Sequence, residues 1–269
     1  MPTPSGGIQV ESLGPDLFLF RGASYDSGSL VVLAGADVLL VDGLASVADA
    51  ERLRQTLVGE WGKRVVYLVS THYFSDHMAA WNLFPEAAVL AHENALQTFW
   101  TEDYRSPEEA EHFRPPTFLL GGRLVFSWGR FTLEIFDNSG HTSGTLNVDF
   151  PEADLLHVGD TAVGRMAYLH YSSAEACDRA LSRAQSRGRG RILRSHGPVA
   201  GGEVLASARG YLRNLEHAVR AARAGGHPLA RIPIEECLPD GPPATDFETF
   251  FHRRNLASIE KRGLFVEAA

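Results

Sequence analysis

The chain is poor in several features that would assign it to particular protein classes. Only two of its 269 residues are cysteine, Cys177 and Cys237, far apart and without metal-type spacing. A disulfide framework is therefore not expected, and a reducing compartment is the natural default. No apolar run approaches the roughly 20 residues of a membrane-spanning helix. The longest, SLVVLAGADVLLVDG at 29–43, reads as strands broken by a turn. The opening MPTPSGGIQVESLG lacks the basic region and apolar core of a secretory signal, so a cytoplasmic protein with no membrane partner is expected. Positive charge is outnumbered, 25 Lys and Arg against 33 Asp and Glu, for a net −8. That balance argues against a nucleic-acid partner, because phosphates reward clustered basic residues. The one basic cluster, Arg187 to Arg194, is expected to be a solvated connection between a helix and a strand. Low-complexity tracts and a Pro/Gly/Ser-rich linker are also missing.

What is present is an alternation of short apolar strands and helical segments. Strands are predicted near Asp16–Arg21, Ser29–Leu33 and Val38–Val41, the last two joined as a hairpin through Gly35–Asp37. A helix is predicted from Ser46 to Trp61, then a buried-type strand over Val65–Ser70, a helix from Met78, a strand at Ala88–His92 and a helix from Glu93. Tyr104–Pro116 is polar and acidic and reads as a surface excursion placed to cover a site. Further strands are predicted at Arg123–Ser127, Phe131–Phe136, Thr145–Phe150, Leu155–Val158 and Ile192–Leu193, with a helix at Ser173–Ser186. Gly202–Ala224 and Phe247–Lys261 are helical in pattern.

Four clusters place His or Asp at a strand end or in a glycine-containing loop: His72 to His77, Ser139 to Thr142, His157 to Thr161, and Ser195 to Pro198. Histidine and carboxylate together suit zinc, iron or manganese. Donors at the first, fifth and sixth positions of a loop can converge on one point, and Gly140, Gly159 and Gly197 let the backbone turn beside each donor. The remaining histidines, His92, His112, His170, His217, His227 and His252, read as core or surface residues. His157 reads as core packing or support for the site.

These motifs, in this order, resemble those of the metallo-β-lactamase superfamily, which includes class B β-lactamases, glyoxalase II, lactonases and persulfide dioxygenases. Its T-H-x-H-x-D-H loop is matched by Thr71–His77, its G-H-T loop by Gly140–Thr142, its G-D by Gly159–Asp160 and its late His by His196, while VLLVDG resembles its early strand ending in Asp42. The resemblance implies an α/β fold, a four-layer αβ/βα sandwich over residues 1–200, with a C-terminal helical extension over 201–269 packed on the same domain. It implies one metal site of His72, His141 and Asp160, in which Phe74 stands where a second histidine belongs, and a second, complete site of Asp76, His77, His196 and Asp160.

Phenylalanine has no donor atom, so Phe74 makes the centre asymmetric. The resemblance then implies a metal-dependent hydrolase of an ester, thioester, lactone or amide of a small molecule, using one or two zinc ions to activate a water. Asp76, His77 and Asp160 carry the catalysis in this reading, and Tyr73, Phe74 and Thr142 line the pocket. Two alternatives stay open. His72, His141 and Asp160 match the two-histidine, one-carboxylate set of mononuclear iron oxygenases, and a non-catalytic ligand-binding role is the other. The helical tail reads equally as a cap over the core or as a homodimer surface.

Overall fold

The computed structural model describes residues 7–103, 107 and 109–266. Two sheets face each other. The first is seven-stranded in the order β1 (Gln9–Gly14), β2 (Leu17–Arg21), β3 (Gly28–Ala34), β4 (Asp37–Val41), β5 (Arg64–Val69), β6 (Ala88–His92), β7 (Phe118–Leu120). It is antiparallel from β1 to β4 and parallel from β4 to β7. The second has six strands. In spatial order they run β13 (Ala200–Gly201), β12 (Arg191–Arg194), β11 (Leu155–Gly159), β10 (Leu146–Phe150), β9 (Phe131–Asp137), β8 (Arg123–Trp128). Only β11 and β12 are parallel there.

The central strands are mostly apolar because both of their faces are buried, and the polar exceptions Asn147, Asp149 and His157 are buried with them. On β4, Leu39 and Val41 point between the sheets and meet Leu133, Ile135, Leu146 and Val148. Val38 and Leu40 point outward, onto Leu53, Leu57, Trp81 and Phe84. The second sheet does the same: Leu155 and Leu193 face inward, while Leu156, Val158 and Ile192 are covered by helices. The result is the αβ/βα sandwich, with further helices at the C-terminus.

Helix α1 (Val47–Arg54) is capped by Ser46, whose hydroxyl accepts from Asp49 N, and it continues through a π-helical turn to Glu60 before Gly62 turns the chain at φ 63°. The predicted helix from Met78 does not form. Residues 75–77 and 81–83 make two single 3₁₀ turns. The N–H groups of Ala79 and Ala80 are taken instead by the carbonyls of Leu44 and Gly43, and Pro85 follows at once. The helix from Glu93 shrinks to α2 (Ala95–Gln97) and a π-helical turn over Thr98–Asp103. The excursion at Tyr104–Pro116 lies partly outside the described residues. Its described end is anchored, since Arg114 donates to the carbonyls of Trp81, Phe84 and Pro85.

The arginine cluster is structural rather than solvated. Arg187 pairs with Glu134 and lies 4.0 Å over the Phe136 ring, Arg189 pairs with the buried Asp149, and Arg191 donates to Leu13 O. Both cysteines are free and buried, and burial pushes each thiol up to about 12. No helix among the described residues is long and apolar enough to cross a membrane.

The helices after β11 belong to the same packing unit. Helix α3 (Ala174–Gln185), α4 (Glu203–Ala224), α5 (Ile234–Cys237) and α6 (Asp246–Arg262) share one apolar cluster with Leu156, Val158 and Ile192 of the second sheet. Helix α6 starts on a capping box between Thr245 and Glu248. Glu248 is buried and also takes three bonds from Arg165, through its backbone N, Nε and Nη2, each at 2.9 Å.

Burial alone would raise the Glu248 pKa, but the Arg165 bonds hold it down at about 2. Unfolded, it titrates at its ordinary 4.5. Its contribution to stability is therefore complete above that pH and is lost as pH falls from there toward about 2. Glu248→Gln should cost roughly 3 kcal/mol at neutral pH and flatten the plot of Tm against pH in that acid window. An unchanged plot would show that the pair carries no stability.

Candidate metal centre

The donors sit at the ends of strands on the same rim of the sandwich. Asp42 directly follows β4, the loop 70–77 follows β5, Asp160 follows β11 and His196 follows β12, while His141 lies in the turn between β9 and β10. Leu146 N donates to Thr71 O at 2.6 Å, which closes the first sheet's loop onto the second sheet.

Asp42 is the hub. It is buried and held at φ 58°. Its carboxylate accepts from Thr71 N (2.8 Å), Thr71 Oγ1 (2.7 Å) and Ser195 Oγ (3.2 Å), and it lies 3.3 Å from His77 Nδ1. Burial would raise its pKa, but the His77 contact and charge hold it below the usual carboxylate value.

These partners fix ring orientation. Thr71 spends its hydroxyl proton on Asp42, so its oxygen accepts from His72 Nδ1 at 3.1 Å. His72 Nε2 is then an unprotonated lone pair, buried and without a hydrogen-bond partner. His77 Nδ1 faces Asp42 and its Nε2 is likewise unpartnered. His196 Nδ1 donates to Tyr25 O at 2.9 Å, a carbonyl aimed by the left-handed conformation of Tyr25 at φ 56°. Both His141 nitrogens and one oxygen each of Asp76 and Asp160 are also buried without hydrogen bonds.

Two groups converge. His72, His141 and Asp160 bring donor atoms within 4.8 Å of one another, as do Asp76, His77 and His196. Asp160 Oδ2 joins them, at 3.5 Å from His196 Nε2 and 3.9 Å from the Nε2 of both His77 and His141. Asp76 lies 3.6 Å from His77 Nε2 and 3.8 Å from His196 Nε2. A set of buried, unpaired nitrogens and carboxylate oxygens is costly unless a cation satisfies it, so the residues fit a metal.

The electrostatics agree. Burial drives His72 well below its ordinary pKa and lowers His141, so these rings stay neutral. Burial opposes charge on His77 as well, but Asp76, Asp42 and Asp160 outweigh it and push it up to about 10. Burial likewise works against charge on His196, where Asp160 wins and raises the pKa. Asp160 falls well below the carboxylate range despite burial, chiefly through the charge of His196. The carboxylates that would keep a proton on His77 and His196 form the field that a cation would occupy.

Phe74 stands in the centre as an apolar wall, its ring 4.8 Å from His72, 5.9 Å from His141 and 4.9 Å from Tyr171. The expectation that Tyr73 lines the pocket is corrected. Successive side chains of an extended segment point to opposite sides, and Tyr73 is buried in the outer core against Trp81, with its hydroxyl donating to Arg114 O. Thr142 is buried too, and its hydroxyl bonds Thr145 Oγ1 and Gly144 N to brace the His141 turn. Gly159 and Gly197 do take positive φ, at 55° and 91°. Gly140 serves close approach instead: a Cβ there would lie 2.4 Å from Ala180 Cβ of α3.

The centre opens into a cavity of about 460 Å³. Phe74, Asp76, His141, Asp160 and His196 form its inner part, and Glu111, His112, Tyr168, Tyr171, Phe250, Phe251 and Arg254 line the rest. Of these last seven, Glu111 and His112 belong to the excursion that the sequence places over a site, although His112 itself reads there as a core or surface residue; the other five carry no signal. The seven come from the excursion, from the loop after β11 and from α6, and only the fold brings them together. His92, His170 and His252 have structural partners away from the centre, in Asp137, Ser258 and Tyr211. His157 is buried beneath the site and accepts from Gly159 N, and burial drops it to about 4.

Residues 26–196 match the family described as the metallo-beta-lactamase superfamily. The match spans well over half of the chain, and the chain belongs to that superfamily. Solved structures share the fold. A metallo-beta-lactamase from Pontibacter korlensis is 17% identical and superposes at TM-score 0.66, over 77% of this chain and 99% of its own. The DIM-1 metallo-beta-lactamase is 20% identical at TM-score 0.64, over 77% and 98%. One from Erythrobacter litoralis, with beta mercaptoethanol in its active site, is 18% identical at 0.61, over 76% and 95%. Superfamily membership and a donor set able to hold a metal support a metal-dependent hydrolase at the level of class, with metal and substrate unspecified.

Asp42 reaches the centre only through Thr71, His77 and Ser195. Asp42→Asn should therefore weaken metal affinity about 10- to 100-fold, measured by competition with a chelator. Affinity equal to wild type would show that this carboxylate does not set the ligands.

Proposed function

We propose that the chain hydrolyses an ester, thioester, lactone or amide of a small molecule at an asymmetric zinc centre. One observation carries this reading: donor atoms of Asp76, His77 and His196 lie within 4.8 Å of one another, with Asp160 Oδ2 3.5 Å from His196 Nε2, at the inner end of an open cavity. Zinc held there supplies a Lewis acid and brings the pKa of a coordinated water toward neutrality.

The chain's residues do the rest. Asp42 and Tyr25 O hold His77 and His196 by their Nδ1 atoms, so that Nε2 of each faces Asp160 and Asp76. Asp76, partly exposed to the cavity, is the carboxylate placed to take a proton from the attacking water and return it to the leaving group. Phe74 and Tyr171 pack together and keep one side of the centre apolar.

A second reading has its own observation. His72, His141 and Asp160 form a three-donor group with Phe74 beside it, the composition of a mononuclear iron oxygenase site. A ligand-binding protein without catalysis is the third.

Metal content after purification without added metal separates them. About one zinc per chain, with ester hydrolysis lost on chelation and restored by zinc, is the expected result. One iron per chain with oxygen uptake would favour the oxygenase, and no metal even after zinc is supplied would sink both enzyme readings. His196→Ala should cost more zinc affinity than Asp42→Asn. Phe74→His restores a donor, so bound metal should rise toward about two per chain; a constant stoichiometry would mean that this position does not face the first site.

A further inference from the structure

Arg254 is the only lysine or arginine among the described residues that line the cavity. Its Nε donates to the Tyr168 hydroxyl at 2.8 Å, and its guanidinium carbon lies 5.9 Å from the Tyr168 ring and 5.5 Å from that of Phe250. Its two terminal nitrogens have no acceptor, and it makes no ion pair, among the described residues. The neighbouring arginines differ. Arg165 is spent on Glu248, and Arg262 on the carbonyls of Leu169, His170 and Ser172. Tyr168 also sits 6.0 Å from the His141 ring, so Arg254 is one side chain away from a ligand of the centre.

We propose that Arg254 anchors a carboxylate carried by the substrate, whose apolar body lies against Tyr168, Tyr171, Phe250 and Phe251; the proposal rests on the hydrolase reading of the adjoining centre. A guanidinium with two parallel donors free matches the two oxygens of a carboxylate. Its side chain is already fixed by Tyr168 and Phe250, so little order remains to be imposed on binding. Asp76, Glu111 and Asp160 line the same cavity. A singly charged planar anion meets less repulsion from them than a phosphate carrying nearly two charges.

The test uses zinc-loaded protein and three probes, 3-phenylpropionate, 3-phenylpropionamide and phenyl phosphate, measured by titration calorimetry. Wild type should bind the carboxylate at least about tenfold tighter than the amide, and Arg254→Gln should lose about 10- to 100-fold for the carboxylate while amide binding is unchanged. Three results overturn the proposal: carboxylate affinity that survives in Arg254→Gln, because the anion then sits elsewhere; an equal loss for carboxylate and amide, which is a structural role; or phenyl phosphate binding tighter than the carboxylate. Should the glutamine variant not fold, Arg254→Lys keeps the charge and removes the fork. There the carboxylate preference should fall roughly several-fold, and an unchanged preference overturns the proposal. Turnover of 4-nitrophenyl acetate, followed separately, tests the hydrolase reading. Arg254-dependent carboxylate binding without turnover sustains the anchor and removes the hydrolase.

Discussion

The site depends on one buried carboxylate. Asp42 directly follows β4, in the first sheet, yet its oxygens collect Thr71 from the loop after β5, His77 from the same loop and Ser195 from the loop after β12 of the other sheet. A buried anion is tolerated only if its hydrogen bonds are complete, so the three segments are held where they can complete them. The consequence reaches the donors in both groups. Through Thr71 the carboxylate sets the tautomer of His72, directly it orients His77, and through Ser195 it fixes the residue next to His196. The left-handed backbone at Asp42 is the strained conformation that this convergence maintains.

Electrostatics extend the same logic. Neutral His72 and His141 lie beside a pair, His77 and His196, that would carry protons in the field of Asp76 and Asp160. The two groups of donors are thus unequal apart from any question of Phe74. One joins Asp76 to two rings that the surrounding carboxylates favour in the protonated form. The other offers two neutral rings and Asp160, whose Oδ2 also lies 3.5 Å from His196 Nε2. Phe74 deepens the inequality by putting an aromatic face where a third ring nitrogen would have balanced it. The two donor groups thus differ in charge as well as in the aromatic face set beside one of them.

Much of this was legible in the sequence because local rules coincide with tertiary ones. The strands read clearly since both faces of β4, β10 and β11 are buried, and the donor loops stood out because each strand end carries His or Asp, beside Gly in every loop but the one after β5. The failures have physical causes. The stretch after Met78 has helical composition, but its N–H groups go to Gly43 and Leu44, which no local pattern reveals. Tyr73 was misassigned because a loop flanked by ligands still alternates its side chains, and the outer core claimed it. Gly140 looked like a turn residue, whereas the constraint on it is the approach of α3.

The substrate cavity was the least legible part, and the reason is sequence distance. The family match ends at residue 196, and α6 lies beyond it. Yet α6 builds the cavity's outer wall. Asn255 accepts from Leu169 N and donates to Ala167 O, and Arg262 donates to three carbonyls of residues 169–172, so α6 holds the loop that presents Tyr168 and Tyr171. Helix α4 supports that arrangement through Tyr211, whose hydroxyl accepts from Asn255 and contacts His252. His252 Nε2 donates to Ile232 O, so its Nδ1 is left to accept the Tyr211 proton, and the chain of bonds has a single consistent direction. The candidate metal centre is thus made by residues within the superfamily match, while the outer cavity joins Glu111, His112, Tyr168 and Tyr171 from within it to Phe250, Phe251 and Arg254 of α6, which lie beyond it. Two proteins with the same donors and different tails would therefore present different cavity walls, because α6 supplies three of the outer lining residues and clamps the loop that supplies two more.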